Sequence, residues 1–433
     1  MIQVKNNAYV ISKLRACKLL LLIVLIYRCE YSNALTWEEA KASLAKNNYN
    51  LNVNYENIHV AKNDMIQTRS RLYPEISLRG GAERFLQEDA SLGFRSFLGP
   101  RLTWSLYQGG RVKHSVRQAR INIKKQINTY SLSEVEQQAQ LRQIFASAVY
   151  AKKNIALAET SLERAKNNNR YVRLNYKGGQ EYVWVFQSSQ KTVLESEANL
   201  LKAEQEAKKA LFTLQQMIGE DIVTSLDEIQ EAQFNVPENI DEEINVNSYI
   251  EKHPELEIAK QNETIANLNH KVAKANMLPS LIFRTDFIVA DTDESQVFPF
   301  WYAGVNLTVP LFESGRNKKA SENARIKFKQ SQQLYQQVKL KQKQDIEQQV
   351  LNYKWALKNR SVSILNLESL QNKYKLFEKQ YREGLIPYTL WDSTQIELRT
   401  AENKWLQSLQ LLQVEYAKLL LVLGVTEDEF KSN

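Results

Sequence analysis

The chain repeats itself once, and this repeat limits the folds it can adopt more than any other feature. The stretch from Ser105 to Arg111 returns with related residues from Pro310 to Arg316, so that position 111 matches position 316, an offset of 205. The same offset relates five further pairs, namely Pro74 and Pro279, Tyr176 and Tyr381, Gly179 and Gly384, Glu197 and Glu402, and Gly219 and Gly424. Since this period far exceeds the roughly 20 to 50 residues of solenoid repeats, each copy must be a large block.

The repeat predicts the domain organisation of the chain. A first structural repeat should cover residues 35–219 and a second should cover residues 247–433. Residues 220–246 are acidic and contain Pro237, a composition typical of a connector. We therefore expect two copies of one supersecondary unit, joined in tandem.

Residues 1–34 have the pattern of a cleaved signal peptide. Basic residues precede an apolar stretch from Leu19 to Tyr27, and small residues follow up to Ala34. The alternative is a membrane anchor, but nine apolar residues at ~1.5 Å each span less than half of a ~30 Å hydrocarbon core. Both cysteines, Cys17 and Cys29, lie in this leader, so the mature chain would contain no thiol. Lipidation of Cys29 is the less favoured alternative, because Arg28 occupies the place of the small residue that such signals need.

Composition excludes several classes of protein. Mean hydropathy is −0.47, and no apolar run reaches eighteen residues, which excludes a polytopic helical membrane protein. The net charge of +8 falls to +4 without the leader, and basic residues are interspersed with acidic ones, so no nucleic-acid partner is indicated. The four histidines are isolated and show no ligand spacing: His59, His114, His253 and His270. We therefore predict neither an enzyme nor a bound cofactor or metal.

Each copy begins with helical spacing, from Thr36 to Leu72 and from Asn247 to Leu278, and each stops before a proline. Residues that alternate with a period of two then predict paired strands. The predicted strands are Ile76 to Glu88 and Leu98 to Tyr107 in the first copy, and Leu281 to Ala290 and Trp301 to Leu311 in the second. Polar loops separate them, at Asp89 to Arg95 and Asp291 to Gln296. Each copy should thus contribute one hairpin.

Long proline-free helical segments follow the strands, from Arg111 to about Asn175 and from Arg316 to about Tyr381. Some sixty residues at ~1.5 Å each reach about 90 Å. Apolar residues in the second segment, such as Ile346, Tyr353 and Tyr374, are separated by steps of three and four, which is coiled-coil spacing. A glycine-containing turn and a returning helix complete each copy, and we expect Glu197 and Glu402 to support helix pairing.

Four strands of this length match a membrane-spanning β-structure, but four strands cannot close into a cylinder. Each unpaired backbone N–H or C=O group in lipid costs on the order of several kcal/mol. Other chains must therefore pair with the edges of the sheet. Aromatic residues near the strand ends suit the lipid headgroup region, although ordinary strand packing explains them as well.

The order of these features resembles the TolC-type outer-membrane efflux proteins. The resemblance covers essentially the whole mature chain and rests on the duplicated order of helix, hairpin, Gly-Arg turn, long helix, Gly-containing tip and returning helix. It implies an α+β membrane protein that assembles as a homotrimer, with a twelve-stranded barrel in outer-membrane lipid and a tunnel of long antiparallel coiled-coil helices in the periplasm. It also implies a periplasmic adaptor (membrane fusion protein) and an inner-membrane transporter as partners.

The resemblance also assigns candidate site residues. Gly178, Gly179, Gly384 and Leu385 would form the periplasmic tip that docks the adaptor, and Tyr381 and Asp392 would constrict the entrance. Gly110 with Arg111, and Gly315 with Arg316, would form the strand-to-helix turns. The family often has an aspartate six residues after the tip glycine, but Val185 and Leu390 stand there in this chain. Asp392 lies two residues beyond Leu390 and is the remaining candidate for a carboxylate ring that favours cations.

The sequence therefore predicts a passive exit duct in the bacterial outer membrane, serving a tripartite efflux or type I secretion system and gated at its helical tip. The alternative is an exported coiled-coil scaffold or adhesin without a pore. Paired amphipathic strands at matched places in both copies favour the duct, because a scaffold does not require them.

Overall fold

The structure is a computed structural model that describes residues 35–86, 92–219, 223–230, 236–237, 246–292 and 297–432. The predicted leader, most of the predicted connector and parts of the two predicted strand loops lie outside these residues. Among the described residues, no helix has both the length and the apolar composition needed to cross a membrane.

The elements follow one another in the same order in both copies. The first copy contains α1 (Trp37–Asn47), α2 (Tyr49–Ser70), β1 (Glu75–Leu86), β2 (Leu92–Gln108), α3 (Arg111–Lys177) and α4 (Val183–Ile218). The second contains α5 (Val246–Lys252), α6 (Pro254–Ala275), β3 (Ser280–Thr292), β4 (Val297–Thr308), α7 (Arg316–Arg382), α8 (Tyr388–Leu423) and α9 (Glu427–Ser432). Both α3 and α7 have 67 residues, and both α4 and α8 have 36. The predicted tandem duplication of hairpins and long helices is confirmed.

The first helical segment of each copy is broken, where the sequence predicted one continuous helix. In the first copy the break falls at Asn48, whose side chain accepts a hydrogen bond from the Leu51 backbone N–H and caps α2. In the second copy it falls at His253, which precedes Pro254 at the start of α6. A side-chain cap satisfies an N–H that lacks a helical partner, so each new helix begins where such a residue stands.

His253 makes α6 sensitive to acid. Its ring is 2% exposed, and Nδ1 accepts a hydrogen bond from the Glu255 backbone N–H at 3.1 Å. Burial lowers the pKa of His253 below its usual value, so the neutral ring is the stable form in the folded protein. The stability that the neutral ring contributes should be complete above pH ~6.5 and should be lost as the pH falls below that value.

We expect wild-type protein to lose about 0.5–2 kcal/mol between pH 7.5 and pH 5 through this cap. Because asparagine also caps helices but does not titrate, a His253→Asn variant should lose less over the same range. Amide exchange at Glu255 measured at both pH values tests this, and an equal acid response in the two proteins would contradict it.

The four strands form one antiparallel sheet in the order β1-β2-β3-β4. Within the copies β1 pairs with β2 and β3 with β4, and Arg101 opposite Asp286 lies in the β2–β3 pairing that joins the copies. The alternation of residues predicted that the last strand would continue to Leu311, but β4 ends at Thr308, opposite Ser280. Pro310 lacks the N–H that a continued strand would donate.

The two faces of the sheet differ in polarity. One face is apolar and exposed, and it includes Ile76 and Leu78 of β1, Leu98 of β2, Phe287 and Val289 of β3, and Trp301, Val305 and Leu307 of β4. The opposite face has Ser77, Arg79, Arg101, Thr103, Arg284, Asp286 and Asn306, interspersed with Phe97, Ile282, Ile288, Phe300 and Tyr302. The outer strands β1 and β4 each have one edge without a partner strand in the described chain.

The chain divides into two compact units, and each draws on both copies. The first consists of residues 1–47, 141–237 and 359–413, and its described part contains α1, α4 and the tip ends of α3, α7 and α8. The second consists of residues 48–140, 238–358 and 414–433, and its described part contains the sheet together with α2, α5, α6 and α9. In the second unit, the predicted seam residues Ile346 and Tyr353 are fully buried, and Tyr353 packs against Tyr416.

Candidate functional site

The two helix-to-helix turns of the first unit have the same backbone geometry. Gly179 and Gly384 both have φ of +75°, a conformation that residues with a Cβ resist. After α3, the N–H of Gln180 donates to the Asn175 carbonyl at 2.9 Å and that of Gly179 to the Tyr176 carbonyl at 3.0 Å. The N–H groups of Leu385 and Gly384 make the equivalent bonds after α7, at 2.8 and 3.0 Å, to the carbonyls of Gln380 and Tyr381. Both turns are Schellman motifs, which satisfy the last carbonyls of a helix.

Substitution of the glycines with positive φ tests this geometry, and Gly178 in the first turn provides a control. Alanine at Gly179 or Gly384 should cost about 1–2 kcal/mol, because each glycine occupies the left-handed region. Alanine at Gly178 should be nearly neutral, since its φ is not positive and the nearest atom to a new Cβ lies 3.5 Å away. Amide exchange at Gln180 and Leu385 would measure local opening. Equal effects at Gly178 and Gly179 would contradict the argument.

Tyr381, a predicted constriction residue, is 5% exposed and lies at the centre of an aromatic cluster in the first unit. Its hydroxyl donates to Oε1 of Glu181 at 2.6 Å, and its ring stacks on Trp391 with centroids 4.4 Å apart. Tyr171 and Tyr388 contact it edge-on, at 5.8 and 6.0 Å. Burial and the nearby Glu181 raise the pKa of Tyr381, so the hydroxyl remains a donor at neutral pH. The hydrogen bond from Tyr381 to Glu181 joins the end of α7 to the loop before α4.

The Tyr381–Trp391 stack has a counterpart in the first copy. Tyr176 and Phe186, which match Tyr381 and Trp391 at the offset of 205, stack with centroids 5.4 Å apart and an interplanar angle of 4°. Tyr176 is nevertheless 38% exposed, whereas Tyr381 is buried. The repeat thus supplies two similar stacks, and only that of the second copy is enclosed.

Asp392 lies four residues after the start of α8 and is half-buried. Its Oδ1 accepts a hydrogen bond from the Tyr388 hydroxyl at 3.3 Å. Burial raises the pKa of Asp392, and the negative charge of Glu195 raises it further. Val185, which occupies the place of the family's aspartate in the first copy, is 1% exposed and packs within the aromatic cluster.

The sequence predicted Tyr381 and Asp392 as constriction residues, and the structure brings both into contact with Tyr388. Tyr381 packs edge-on against the Tyr388 ring, and Asp392 accepts a hydrogen bond from the Tyr388 hydroxyl. Glu181, Tyr388 and Trp391 were not among the predicted site residues. The match of Trp391 to Phe186 could have indicated that residue, since both stand at the same place in the repeat.

The predicted strand-to-helix turns lie in the second unit. Gly110 and Gly315 both have φ of +81°, and α3 and α7 begin directly after them at Arg111 and Arg316. Arg111 donates to Oε1 of Gln108 at 2.6 Å, and Arg316 donates to Oε1 of Glu313 at 2.9 Å. In both copies the arginine therefore ties the start of the long helix to the segment before it.

The carboxylates that recur along α4 and α8 pair with basic residues of α3 in the first unit. Glu402 accepts two hydrogen bonds from Arg164, at 2.8 and 2.6 Å, and Lys166 lies 3.5 Å from Glu197. These contacts confirm that Glu197 and Glu402 take part in helix pairing. In the described ranges, no group of three or more His, Cys, Asp or Glu residues could hold a metal ion.

Comparison with solved structures finds the same fold in membrane proteins of low sequence identity, two of which are outer membrane channels. A membrane protein from Pseudomonas aeruginosa superposes with a TM-score of 0.82 at 17% identity, over 91% of each chain. The CmeC outer membrane channel of Campylobacter jejuni gives 0.80 at 16% identity, over 92% of this chain and 88% of that one. The open state of the Neisseria gonorrhoeae MtrE outer membrane channel gives 0.77 at 16% identity, over 90% and 89%.

No curated protein sequence matches the chain. The profile of the family described as "Outer membrane efflux protein" matches residues 35–220 and 245–425, which is most of the chain and includes both copies. The chain therefore belongs to the outer membrane efflux protein family.

Proposed function

We propose that the protein is the outer-membrane exit duct of a tripartite efflux or type I secretion system, a passive homotrimeric channel that opens and closes at its helical tip. The single observation that carries this proposal is the incomplete sheet, whose apolar face is exposed and whose two outer strands each have one edge without a partner strand in the described part of the chain. In lipid such edges must be paired, and three copies of four strands would form a closed twelve-stranded barrel.

Exposed apolar rows on the helices of the first unit support assembly of identical chains. On α7, Val362, Leu365 and Leu376 are more than half exposed, and their spacing fits a second coiled-coil seam beside the buried one. On α4, Leu194, Leu201 and Phe212 are more than 60% exposed and follow the same heptad spacing. Since neither row has a partner within the described chain, we infer that each row packs against a neighbouring copy.

The tip has the properties of a gate in this proposal. The Tyr381 hydroxyl joins α7 to Glu181 of the other turn, and the Tyr388 ring that packs against Tyr381 is itself tied to Asp392 within α8. A hydrogen bond between two turns holds them together without covalent linkage, so a partner that competes for the same groups could separate them. We infer that this network is the closed state and that its rupture lets the helices move apart.

The tip also offers a surface for the periplasmic adaptor, which would connect the duct to an inner-membrane transporter. Leu385 is 67% exposed and Tyr182 is 73% exposed, and they lie in the two turns beside Gly179 and Gly384. Apolar surface exposed at a turn is area that a binding partner can bury. We also propose that the leader is removed and that the rest of the chain divides into a first repeat, a connector and a second repeat, at residues 35–219, 220–246 and 247–433.

The exported scaffold or adhesin does not account for an exposed apolar sheet face with two open edges. Planar-bilayer recording of the purified oligomer separates the two functions. We expect ion current from wild-type protein or from a variant with alanine at Tyr381 and Asp392. The absence of current from correctly folded oligomer of both proteins would overturn the proposed channel.

A further inference from the structure

The polar face of the sheet carries more positive than negative charge at its centre. Arg79 lies on β1, Arg101 on β2 and Arg284 on β3, and the register brings them onto the face that also presents Asp286. Among the polar-face residues whose side chains are described, Glu75 is the other carboxylate, at the first residue of β1. Glu75 and Arg284 both pair with Thr103, so they share one row across β2, about 10 Å apart.

One arginine is committed to the central carboxylate. Arg101 donates from Nη2 to Oδ2 of Asp286 at 3.0 Å and from Nε to Oδ1, which is a bidentate ion pair. Asp286 is 7% exposed, and Arg79 and Arg284 also lie close enough to it to interact electrostatically. On the described part of the polar face, the three arginines therefore exceed the two carboxylates by one positive charge per chain.

The guanidinium groups of Arg79 and Arg284 take no part in this bidentate ion pair. Arg79 lies over the ring of Phe97, 5.8 Å from its centroid, which holds the cation without neutralising it. Arg284 precedes Asp286 by two residues on the same face, and its Nε makes no hydrogen bond within the described ranges. Both side chains are thus positive groups on the polar face.

We propose that Arg79 and Arg284 form a positive ring in the barrel lumen and make the duct prefer small anions to cations. The inference rests on the proposed trimeric channel, in which three-fold repetition would set six such guanidinium groups around one pore. Rings of arginine select anions in pores, and a lumen potential of about one kT would change the ratio of anions to cations about sevenfold. This ring opposes the cation preference expected from a ring of Asp392.

The test is the reversal potential of the purified oligomer in a planar bilayer with a KCl gradient, recorded for wild type and for the Tyr381→Ala variant. We expect chloride to be severalfold more permeant than potassium in both. Arg79→Gln with Arg284→Gln should bring the permeability ratio close to one or reverse it. A wild-type channel that is unselective or prefers potassium would overturn the inference without any variant.

Two controls separate the ring from other charges. Arg84→Gln changes an arginine on the opposite face of β1 and should leave the permeability ratio unchanged. Asp392→Asn tests the tip, and a selectivity that follows Asp392 but not the two arginines would overturn the inference. Arg79→Lys with Arg284→Lys should retain anion preference, which keeps the test valid if the glutamine pair fails to fold. Absence of any current contradicts the channel itself rather than its selectivity.

Discussion

Replacing Tyr381 by alanine should hold the tip open and raise the open probability of the channel by two orders of magnitude. The ring is 5% exposed and contacts Tyr171, Tyr388 and Trp391, so its removal leaves a cavity in the cluster that closes the two turns. Loss of a buried aromatic side chain costs about 3–5 kcal/mol, and each 1.4 kcal/mol shifts an equilibrium tenfold. Single-channel recording in planar bilayers measures the change.

The repeat provides the control for this variant. Tyr176→Ala removes the matching tyrosine, which stacks on Phe186 but is 38% exposed, so it should open the channel much less. Tyr381→Phe should give an intermediate effect, because it removes only the hydroxyl that donates to Glu181. A lost hydrogen bond to a charged group costs about 1.5–3 kcal/mol. Equal opening by the Tyr381 and Tyr176 alanine variants would contradict the assignment of Tyr381 to the gate.

An arginine at Leu78 should prevent stable insertion into the outer membrane, whereas an arginine at the adjacent Ser77 should be tolerated. Leu78 is 72% exposed on the apolar face of β1, and Ser77 lies on the polar face beside Arg79. An arginine in contact with lipid destabilises a membrane-spanning strand by about 2–4 kcal/mol near the bilayer centre. In a trimer this destabilisation would occur in each of the three chains. The two variants add the same charge at neighbouring positions of one strand, on opposite faces of the sheet.

The amount of oligomer recovered from the outer membrane, and its resistance to unfolding in detergent, measure this effect. We expect wild-type amounts for Ser77→Arg and a large loss for Leu78→Arg. Similar loss in both variants would show that β1 tolerates no added charge on either face. Normal assembly of Leu78→Arg would contradict the assignment of the apolar face to lipid.

Much of the fold could be predicted because the residues that end helices and strands recur at matching positions in the two copies. Each copy places a proline before its hairpin and glycines at its turns, and these residues mark element ends through backbone restrictions that any fold must obey. The end of β4 was predicted wrongly, at Leu311, because apolar residues continue to alternate beyond Thr308 where strand pairing stops. The breaks at Asn48 and His253 were missed because helical spacing continues across both residues.

The tip could be predicted only in part. The glycines were recognisable because a turn that needs positive φ selects glycine, and Tyr381 was suggested by family resemblance. The partner of Tyr381 was not recognisable, because Glu181 belongs to the loop of the first copy and lies 200 residues away in the chain. No periodicity relates two residues in different turns, so such a contact appears only when the helices are packed.

The most direct test of the central claim, that one chain supplies a third of a closed barrel, is the native mass of the protein extracted from outer membranes in mild detergent. The account predicts a single species with three times the mass of the mature chain. A monomer that remains folded, with the apolar sheet face covered by detergent and both sheet edges unpaired, would contradict it.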